Sequence, residues 1–243
     1  MNNQKKAIFL FDYTGIMAKP WADAGYLCYC FDGQHPQGVS KSSHENILNV
    51  GMWFDNDGIH GQNDEDINKI KIVTGGGVSF IFGFPECTDL TVAGARHFKS
   101  KRDADPRFQL KAMQLVYLTK NLGDHFECPY GLENPVGVIS TMWRKPDFKF
   151  NPCDYAGYLP SDDVNPVYPD IYPPQDRYNK GTCIWHGNGF NEPGRIRLEP
   201  LFKDNPGWKF CGGKSLKTKN IRSATPRGFA QAVFEANATG QSS

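Results

Sequence analysis

The fold is decided by residues 7–32, which read AIFLFDYTGIMAKPWADAGYLCYCFD. The apolar run at 7–13 is typical of a buried strand, and it ends at a glycine turn. The spacing of apolar residues in 17–26 favours a helix, and a second apolar run at 27–31 ends on Asp32. Strand, glycine turn, helix, strand and acid, in that order, are typical of a doubly wound α/β sheet. Such a sheet binds an adenosine-containing cofactor at its carboxyl edge.

The rest of the chain continues the alternation of strands and helices, which favours a mostly parallel sheet flanked by helices. The predicted elements are strands over 45–54 and 78–84, a helix over 107–123 that ends at Gly123, a strand over 182–187 and a helix over 226–238.

The length of the chain, 243 residues, suits one hydrophobic core, so residues 1–243 are predicted to form a single domain. Residues 141–179 are rich in Pro, Asp, Tyr and Asn and have almost no regular period, which predicts a loop-rich insertion. The last four residues, GQSS, are predicted to fray.

Composition excludes several classes of protein. No stretch approaches the roughly 20 apolar residues of a membrane span, and residues 1–13 lack the cleavage site of a signal peptide, so we expect a soluble, intracellular protein. The 7 cysteines have neither disulfide nor zinc spacing, and most are interpreted as small buried hydrophobes. His35, His44 and His60 are not spaced like metal ligands, and we expect no metal.

Basic residues are concentrated in two places although the formal net charge is only +1. No acid lies between Asp204 and Glu235, and residues 94–102, GARHFKSKR, form a second basic run. These runs are either solvated faces or surfaces that contact a polyanion such as DNA.

The chemistry is suggested by Cys87 and Glu133. Cys87 lies in FPECTDLTVAG, directly after the strand at 78–84, and Glu133 lies in the later run GLENPVG. A thiol that supplies a nucleophile and a carboxyl group that supplies a proton are the pair needed to activate a cytosine ring. The alternatives are a cysteine packed in the core and a loop carboxylate that faces solvent.

Taken in order, these segments resemble the DNA cytosine C5-methyltransferase family, particularly its short phage-type members. The resemblance covers most of the chain outside the loop-rich stretches. It rests on the segments at 10–32, 84–94, 133–137, 173–185 and 221–237. It implies a Rossmann-like S-adenosylmethionine-dependent methyltransferase that acts on double-stranded DNA, in the cytoplasm of a bacterial host. It implies no particular oligomeric state.

The resemblance also implies roles for individual residues. Cys87 matches the nucleophile, Glu133 the proton donor, Asn134 the residue that orients it, and Arg177 a residue that supports the flipped base. The implied cofactor-binding residues are Phe11, Asp12, Tyr13, Thr14, Gly15, Asp32 and Pro85. Residues 186–215 correspond to a reduced target-recognition region, and the predicted DNA contacts are Lys214, Lys217, Lys219, Arg222 and Arg227.

The implied reaction explains these residue types. The Cys87 thiolate adds to C6 of cytosine, Glu133 supplies a proton or hydrogen bond at N3, and C5 then accepts the methyl group. Because these atoms are inaccessible inside a duplex, the base must be flipped out.

Four departures from the family pattern separate this chain from the usual member. Met17 stands where a second glycine is usual, Asn179 replaces a second arginine, and the target-recognition region is short. Glu86 replaces a proline beside Cys87, and a carboxylate beside a thiol disfavours the thiolate.

Two other hypotheses therefore stay open. One is a cysteine-dependent modification of a pyrimidine nucleotide, or one with a non-methyl donor. The other is a catalytically silent DNA- or cofactor-binding protein.

Four other residues have alternative interpretations of their own. Asp32 is either a ribose-binding acid or a strand-end turn residue. Arg177 either supports the base or forms a surface ion pair with Asp176. Trp21 and Trp53 pack in the core, or one of them stacks on the adenine ring.

Overall fold

The computed structural model describes residues 4–55, 57, 61–213 and 215–238. His60, Lys214 and the last four residues therefore lie outside the described residues. The chain divides into two compact units. The first comprises 1–13, 22–149 and 182–190, and the second comprises 14–21, 150–181 and 191–243.

The first unit carries an eight-stranded sheet, which confirms the predicted α/β class. The strand order is β3-β4-β2-β1-β5-β6-β8-β7. The strands are β1 (Lys6–Leu10), β2 (Leu27–Phe31), β3 (Gly38–Lys41), β4 (Ile47–Gly51), β5 (Val78–Gly83), β6 (Tyr130–Pro135), β7 (Phe148–Phe150) and β8 (Thr182–Gly187). The neighbouring pairs from β4 through β2, β1 and β5 to β6 are parallel, whereas β3 with β4 and β6 with β8 are antiparallel.

Helices flank this mostly parallel sheet, as predicted. The α-helices of the chain are α1 (Lys19–Asp23), α2 (Asp64–Thr74), α3 (Phe98–Ala104), α4 (Phe108–Phe126), α5 (Ile139–Met142), α6 (Pro206–Phe210), α7 (Leu216–Ser223) and α8 (Arg227–Ala238). In the first unit, α4 packs against β5 and β6, and α2 packs against α4. The sequence did not predict β3 or α2.

Helix α4 does not end at Gly123, which corrects the sequence prediction. A Cβ atom at Gly123 would overlap the ring of Tyr130, so glycine is needed there for close packing of the helix on β6. The helix ends three residues later, where Glu127 adopts a left-handed conformation with φ of 51°.

The central strands are buried on both faces, as a parallel sheet requires. One face of β1, with Ile8 and Leu10, joins a core cluster that includes Ile70 of α2 and Leu118 of α4. Residues of the opposite face are also buried, among them Ala7, Phe9, Cys30, Phe80 and Phe82. The carboxyl ends of these strands are therefore anchored on a rigid base.

All 7 cysteines are free thiols, and Cys28, Cys30, Cys128, Cys153 and Cys183 are buried, as the composition indicated. Cys87 and Cys211 are partly exposed. Within the described residues, no helix combines the length and apolar character that a membrane span needs.

The second unit has its own aromatic core around α8. The ring of Phe229 stacks on Phe150 with centroids 4.1 Å apart and lies 5.3 Å from the ring of Tyr155. A 3-10 helix over Pro152–Tyr158 packs against α8. The predicted insertion at 141–179 thus contributes its residues from Phe150 onward to this unit.

A buried ion cluster fixes the start of α8. The guanidinium of Arg227 donates to both carboxylate oxygens of Asp163 at 2.6 and 2.7 Å, and to Asp176 at 2.9 Å. Burial raises the pKa of Asp176, and Arg227 opposes this shift. Burial acts to raise the pKa of Asp163, but the hydrogen bonds from Arg227 and from the backbone of Gln175, together with the charge of Arg227, outweigh it and lower the pKa. Arg227 is only 13% exposed, so its position differs from the predicted DNA contact.

Replacing Arg227 with methionine should destabilise the protein by about 3–5 kcal/mol, because two buried carboxylates lose their counter-charge. Urea denaturation measures the effect. Lys217→Met is the matched control, since Lys217 is exposed and its replacement should change stability by less than about 0.5 kcal/mol. Equal stability of the two variants would contradict a buried structural role for Arg227.

Candidate functional site

The candidate site lies at the carboxyl ends of the parallel strands, where the strand order reverses. Strand β1 pairs with β2 on one side and with β5 on the other, and these lead to opposite edges of the sheet. The backbone N–H of Phe84 donates to the carbonyl of Leu10 at 3.0 Å, and the backbone N–H of Phe11 donates to the carbonyl of Phe31 at 2.7 Å. The strand ends are therefore level, and a crevice at such a reversal is the usual ligand site of this architecture.

The loop that carries Cys87 is hydrogen-bonded to strand β6, which carries Glu133 and Asn134. After β5, the carbonyl of Pro85 accepts a hydrogen bond at 2.8 Å from the side-chain amide of Asn134. Asn134 is 1% exposed, and its Oδ1 atom accepts no hydrogen bond within the described residues. A buried acceptor without a partner in the described part of the chain needs a donor, such as a bound water or a ligand N–H group, to satisfy it.

Backbone hydrogen bonds extend this connection beyond the two motifs. Val138 donates to the carbonyl of Leu90 at 2.7 Å, and Val92 donates to that of Val136 at 3.2 Å. Between these two bonds, Gly137 lies so close to the loop after β5 that a Cβ atom on it would overlap the carbonyl oxygen of Leu90. The glycine of GLENPVG therefore allows the two loops to pair.

Cys87 is held in a tight turn and is partly exposed. Its carbonyl accepts hydrogen bonds from the backbone of Leu90 and Thr91, each at 3.0 Å. The neighbouring Glu86 is exposed, and its carboxylate accepts a hydrogen bond from Thr88 at 2.8 Å. Solvent therefore weakens the repulsion between this carboxylate and a thiolate at Cys87.

Glu133 lies at the end of β6 and is partly buried. On the paired strand β8, burial raises the pKa of the Cys183 thiol, with Lys149 opposing the shift and Glu133 adding to it. The carboxyl group of Glu133 therefore lies within electrostatic range of a buried thiol. This neighbour could not be predicted from the sequence, because its approach depends on the antiparallel pairing of β6 with β8.

Phe11, Asp12 and Tyr13 continue directly from β1. Phe11 adopts a left-handed conformation with φ of 59°, which is rare outside glycine and concentrates at functional sites. Asp12 is buried. Burial raises the pKa of Cys30 on the neighbouring strand, and the carboxylate of Asp12 adds to this shift. Tyr13 is 45% exposed, and its ring stacks on His35 with centroids 5.2 Å apart.

Asp32 at the end of β2 forms the predicted strand-end turn. Its Oδ1 accepts a hydrogen bond from the backbone N–H of Gln34 at 2.8 Å. Burial raises the pKa of this carboxyl group, and the hydrogen bond from Gln34 opposes the shift. The turn interpretation and the ribose-binding interpretation are compatible, since the turn fixes the carboxyl group at the edge where a ligand would lie.

Trp53 follows β4 and is 76% exposed, so it does not pack in the core. Its indole lies against Gly33, where an added Cβ atom would overlap the ring. Trp53 and Asp32 therefore lie beside each other at the carboxyl edge, because β4 and β2 are neighbours. A large exposed aromatic surface next to a fixed carboxylate fits a nucleoside, which offers a flat ring and ribose hydroxyls.

The remaining cofactor residues, Thr14 and Gly15, belong to the second unit. Gly15 has φ of 66° and its carbonyl accepts a hydrogen bond from Lys19 at 3.0 Å. The conformation is one that glycine adopts without strain. Met17, where a second glycine is usual in the family, is fully buried. Trp21 is buried too, as the core interpretation predicts, and its ring lies 5.3 Å from Phe234.

Arg177 also belongs to the second unit. Within the described part of the chain it forms no ion pair with Asp176, which was one of its two interpretations, and Asp176 binds Arg227. Arg177 donates from Nε to the carbonyl of Glu199 at 2.8 Å. The two residues before it, Gln175 and Asp176, have φ of 56° and 51°. This strained turn fixes the backbone from which Arg177 projects, and its role toward a base remains a prediction.

The predicted DNA contacts have different surroundings. Lys217 and Lys219 are exposed on α7, whereas Lys214 lies outside the described residues. Arg222 donates to the backbone carbonyls of Gly207 and Cys211. In the first unit, the run after the Cys87 loop exposes Arg96, His97, Lys99 and Arg102.

No protein-family model and no curated protein matches this chain. Among the described residues, no group of three or more His, Cys, Asp or Glu side chains is arranged to hold a metal ion.

Replacing Asn134 with alanine should destabilise the protein by about 1–3 kcal/mol, because the buried carbonyl of Pro85 loses its donor. Urea denaturation measures the loss. Thr88→Ala removes an exposed hydrogen bond within the Cys87 loop and should lower the stability by less than about 0.5 kcal/mol. If Asn134→Ala were no more destabilising than Thr88→Ala, the side chain would not join the loops.

Proposed function

We propose that the protein transfers a methyl group from S-adenosylmethionine to C5 of cytosine in double-stranded DNA, with Cys87 as the nucleophile. The observation that carries this proposal is the bonding of the Cys87 loop to strand β6, which carries Glu133, and to the loop after β6, at the carboxyl edge of the sheet beside the reversal of strand order. The resemblance of the sequence to DNA cytosine C5-methyltransferases supports it. The setting that the resemblance suggests is the cytoplasm of a bacterial host.

The residues at the strand ends fit an adenosine-containing donor. Trp53 offers an exposed aromatic surface for a purine ring, and Asp32 offers a fixed carboxyl group to ribose hydroxyls. Phe11, Asp12 and Tyr13 continue this edge toward Pro85, which precedes the nucleophile by two residues. S-adenosylmethionine, when bound, supplies an activated methyl group.

Cys87 performs the step that makes cytosine reactive. Its thiolate forms a bond to C6, and the electron pair of the C5–C6 double bond moves into the ring toward N3. Glu133 supplies a proton or hydrogen bond at N3, so that negative charge does not accumulate there. C5 accepts the methyl group, a base removes the proton from C5, and the sulfur leaves as the double bond reforms.

Asn134 links the two groups in this scheme. Its amide nitrogen holds the backbone two residues before Cys87, and it follows Glu133 directly in the chain. Its buried Oδ1 atom is an acceptor suited to an N–H donor such as the amino group of cytosine. The nucleophile, the proton donor and a polar contact for the base are thus controlled by one side-chain hydrogen bond.

The substrate must leave the duplex before Cys87 can reach C6, which costs a few kcal/mol. The exposed cations after the Cys87 loop, Arg96, Lys99 and Arg102, suit contacts to phosphate groups on the same unit. Lys217 and Lys219 provide exposed cations on the second unit. Arg227 is not included, because its charge is neutralised by carboxylates.

Incubation with genomic DNA and labelled S-adenosylmethionine, followed by digestion to nucleosides and mass analysis, tests the proposal. We expect deoxycytidine to gain one methyl group, and Cys87→Ala to lower turnover by more than about 10⁴-fold, as in other enzymes that lose a nucleophile. Cys211→Ala is the matched control, since Cys211 is the other partly exposed thiol and lies outside the site.

Binding measurements separate the parts of the proposal. By calorimetry, Cys87→Ala should keep its affinity for S-adenosylmethionine, whereas Trp53→Ala should weaken it by roughly 5- to 100-fold through lost stacking. Retention on duplex DNA should fall steeply with salt. Methyl transfer to a free pyrimidine nucleotide but not to DNA would replace the proposed substrate. No product with any acceptor would refute the enzyme itself.

A further inference from the structure

The end of the second unit combines strong positive charge with exposed aromatic surface. Residues 205–234 contain no acid and six cations, namely Lys209, Lys214, Lys217, Lys219, Arg222 and Arg227. Of these, Lys209, Lys217 and Lys219 are exposed in the described part of the chain. Trp208 and Phe210 lie in the same stretch and are 59% and 53% exposed.

Trp208 is fixed rather than free to collapse onto the surface. It lies on α6, whose first turn is capped by Asn205, which accepts from the backbone of Gly207 at 2.9 Å. The guanidinium of Arg222 lies 4.8 Å from the centre of the Trp208 ring. Arg222 also donates to the carbonyl of Gly207, which precedes Trp208 in α6, and to that of Cys211, which follows the helix.

Helix α7, which supplies Arg222, is also anchored. Ser215 caps its first turn by accepting from the backbone of Thr218 at 3.2 Å. Near its end, the hydroxyl of the buried Tyr172 donates to the carbonyl of Ile221 at 2.7 Å. Arg222 therefore holds a set position behind the indole, and most of the ring remains open to solvent. A pre-positioned aromatic ring loses little conformational entropy when it binds a ligand.

The charge of this surface selects the class of ligand. An exposed aromatic ring that packs on one guanidinium, in a stretch that also exposes three lysines, suits a ligand that is both planar and anionic. A nucleic acid strand offers bases and phosphates together. Bases within an intact duplex are covered by their neighbours, so an exposed ring stacks best on an unpaired base. Phosphate contacts from lysines add affinity without sequence preference.

We infer that Trp208, backed by Arg222, is a stacking platform for unpaired bases of DNA, with Lys217 and Lys219 at the phosphates. This inference rests on the proposed function for its choice of DNA as the polymer. It adds that the second unit prefers DNA whose bases are already unstacked. Recognition then depends little on sequence, in keeping with the short target-recognition region.

Fluorescence anisotropy of the full-length protein with a labelled single-stranded DNA oligonucleotide, and with the same sequence as a duplex, tests the inference. Trp208→Ala should weaken binding of the single strand by roughly 5- to 150-fold, the loss of one stacked base. Binding of the duplex should change several-fold less. Trp208→Phe, which keeps an aromatic ring, should recover most of the affinity for the single strand.

Leu216→Ala is the matched control, because Leu216 is a 57% exposed apolar side chain at the start of α7 without an aromatic ring. Its affinity for the single strand should stay within about twofold of the original protein, since no stacking is lost. Lys217→Gln should weaken both forms of DNA and reduce the slope of affinity against salt. Thermal unfolding of each variant verifies that the fold is kept.

Equal binding of the single strand by Trp208→Ala and the original protein would overturn the inference. A change in sedimentation coefficient with Trp208→Ala, and none in DNA binding, would instead make this surface a contact between copies of the chain. Methyl transfer is scored separately. If it fails while Trp208 still governs binding of the single strand, the proposed reaction falls and the stacking platform stands. If methyl transfer is normal and Trp208 has no effect on binding, only the platform falls.

Discussion

The hydrogen bond from Asn134 to the carbonyl of Pro85 is the contact on which the candidate site depends. It joins the loop after β5 to strand β6, and backbone bonds between 90–92 and 136–138 then pair that loop with the loop after β6. Glu133 is held in strand β6 by its pairing with β8, whereas Cys87 lies in the loop after β5, and the Asn134 side chain ties the start of that loop to β6. With this link, a thiol and a carboxyl group are positioned by one piece of structure, which is what acid-assisted nucleophilic addition requires.

The sheet sets the scale of that arrangement. Neighbouring strands lie about 4.8 Å apart, so side chains at the ends of β1, β2, β4, β5 and β6 form a row about 20 Å long. Trp53 and Asp32 occupy one end of the row, Phe11 to Tyr13 the middle, and Cys87 with Glu133 the other end. A nucleoside donor and a flat base are both accommodated along an edge of this length. The parallel strands are buried on both faces, which keeps the row rigid.

Much of this arrangement was predictable from the sequence. The apolar runs that became β1, β2 and β5 were unambiguous because strands buried on both faces are continuously apolar. Strand β3 was missed because it lies at the sheet edge and its residues are mostly exposed. Helix α2 was missed because its buried positions include Asp66 and Thr74, which interrupt the apolar pattern. Helix α4 continues through Gly123 because tight packing against Tyr130 outweighs the helix-breaking tendency of glycine.

The site was predictable as a set of residue types and not as a set of contacts. Cys87, Glu133 and Asp32 follow strands in the sequence, and the topology brings these strand ends to one edge. The roles of the arginines depended on long-range pairing. Arg227 meets Asp163 across 64 positions of sequence, and Arg222 backs Trp208 across two separate helices. A count of charges treats both arginines as surface cations. In the structure Arg227 binds two carboxylates, and Arg222 binds backbone carbonyls and packs on an indole ring.

The proposed reaction requires the sulfur of Cys87 to bond covalently to a cytosine ring. Duplex DNA in which cytosine carries fluorine at C5 tests it most directly, since a base cannot remove fluorine as it removes a proton and the adduct persists. Incubation with this DNA and S-adenosylmethionine, followed by digestion and mass spectrometry of peptides, should find the modified base attached to Cys87. A complete absence of adduct, or its attachment to Cys211 instead, would contradict the account.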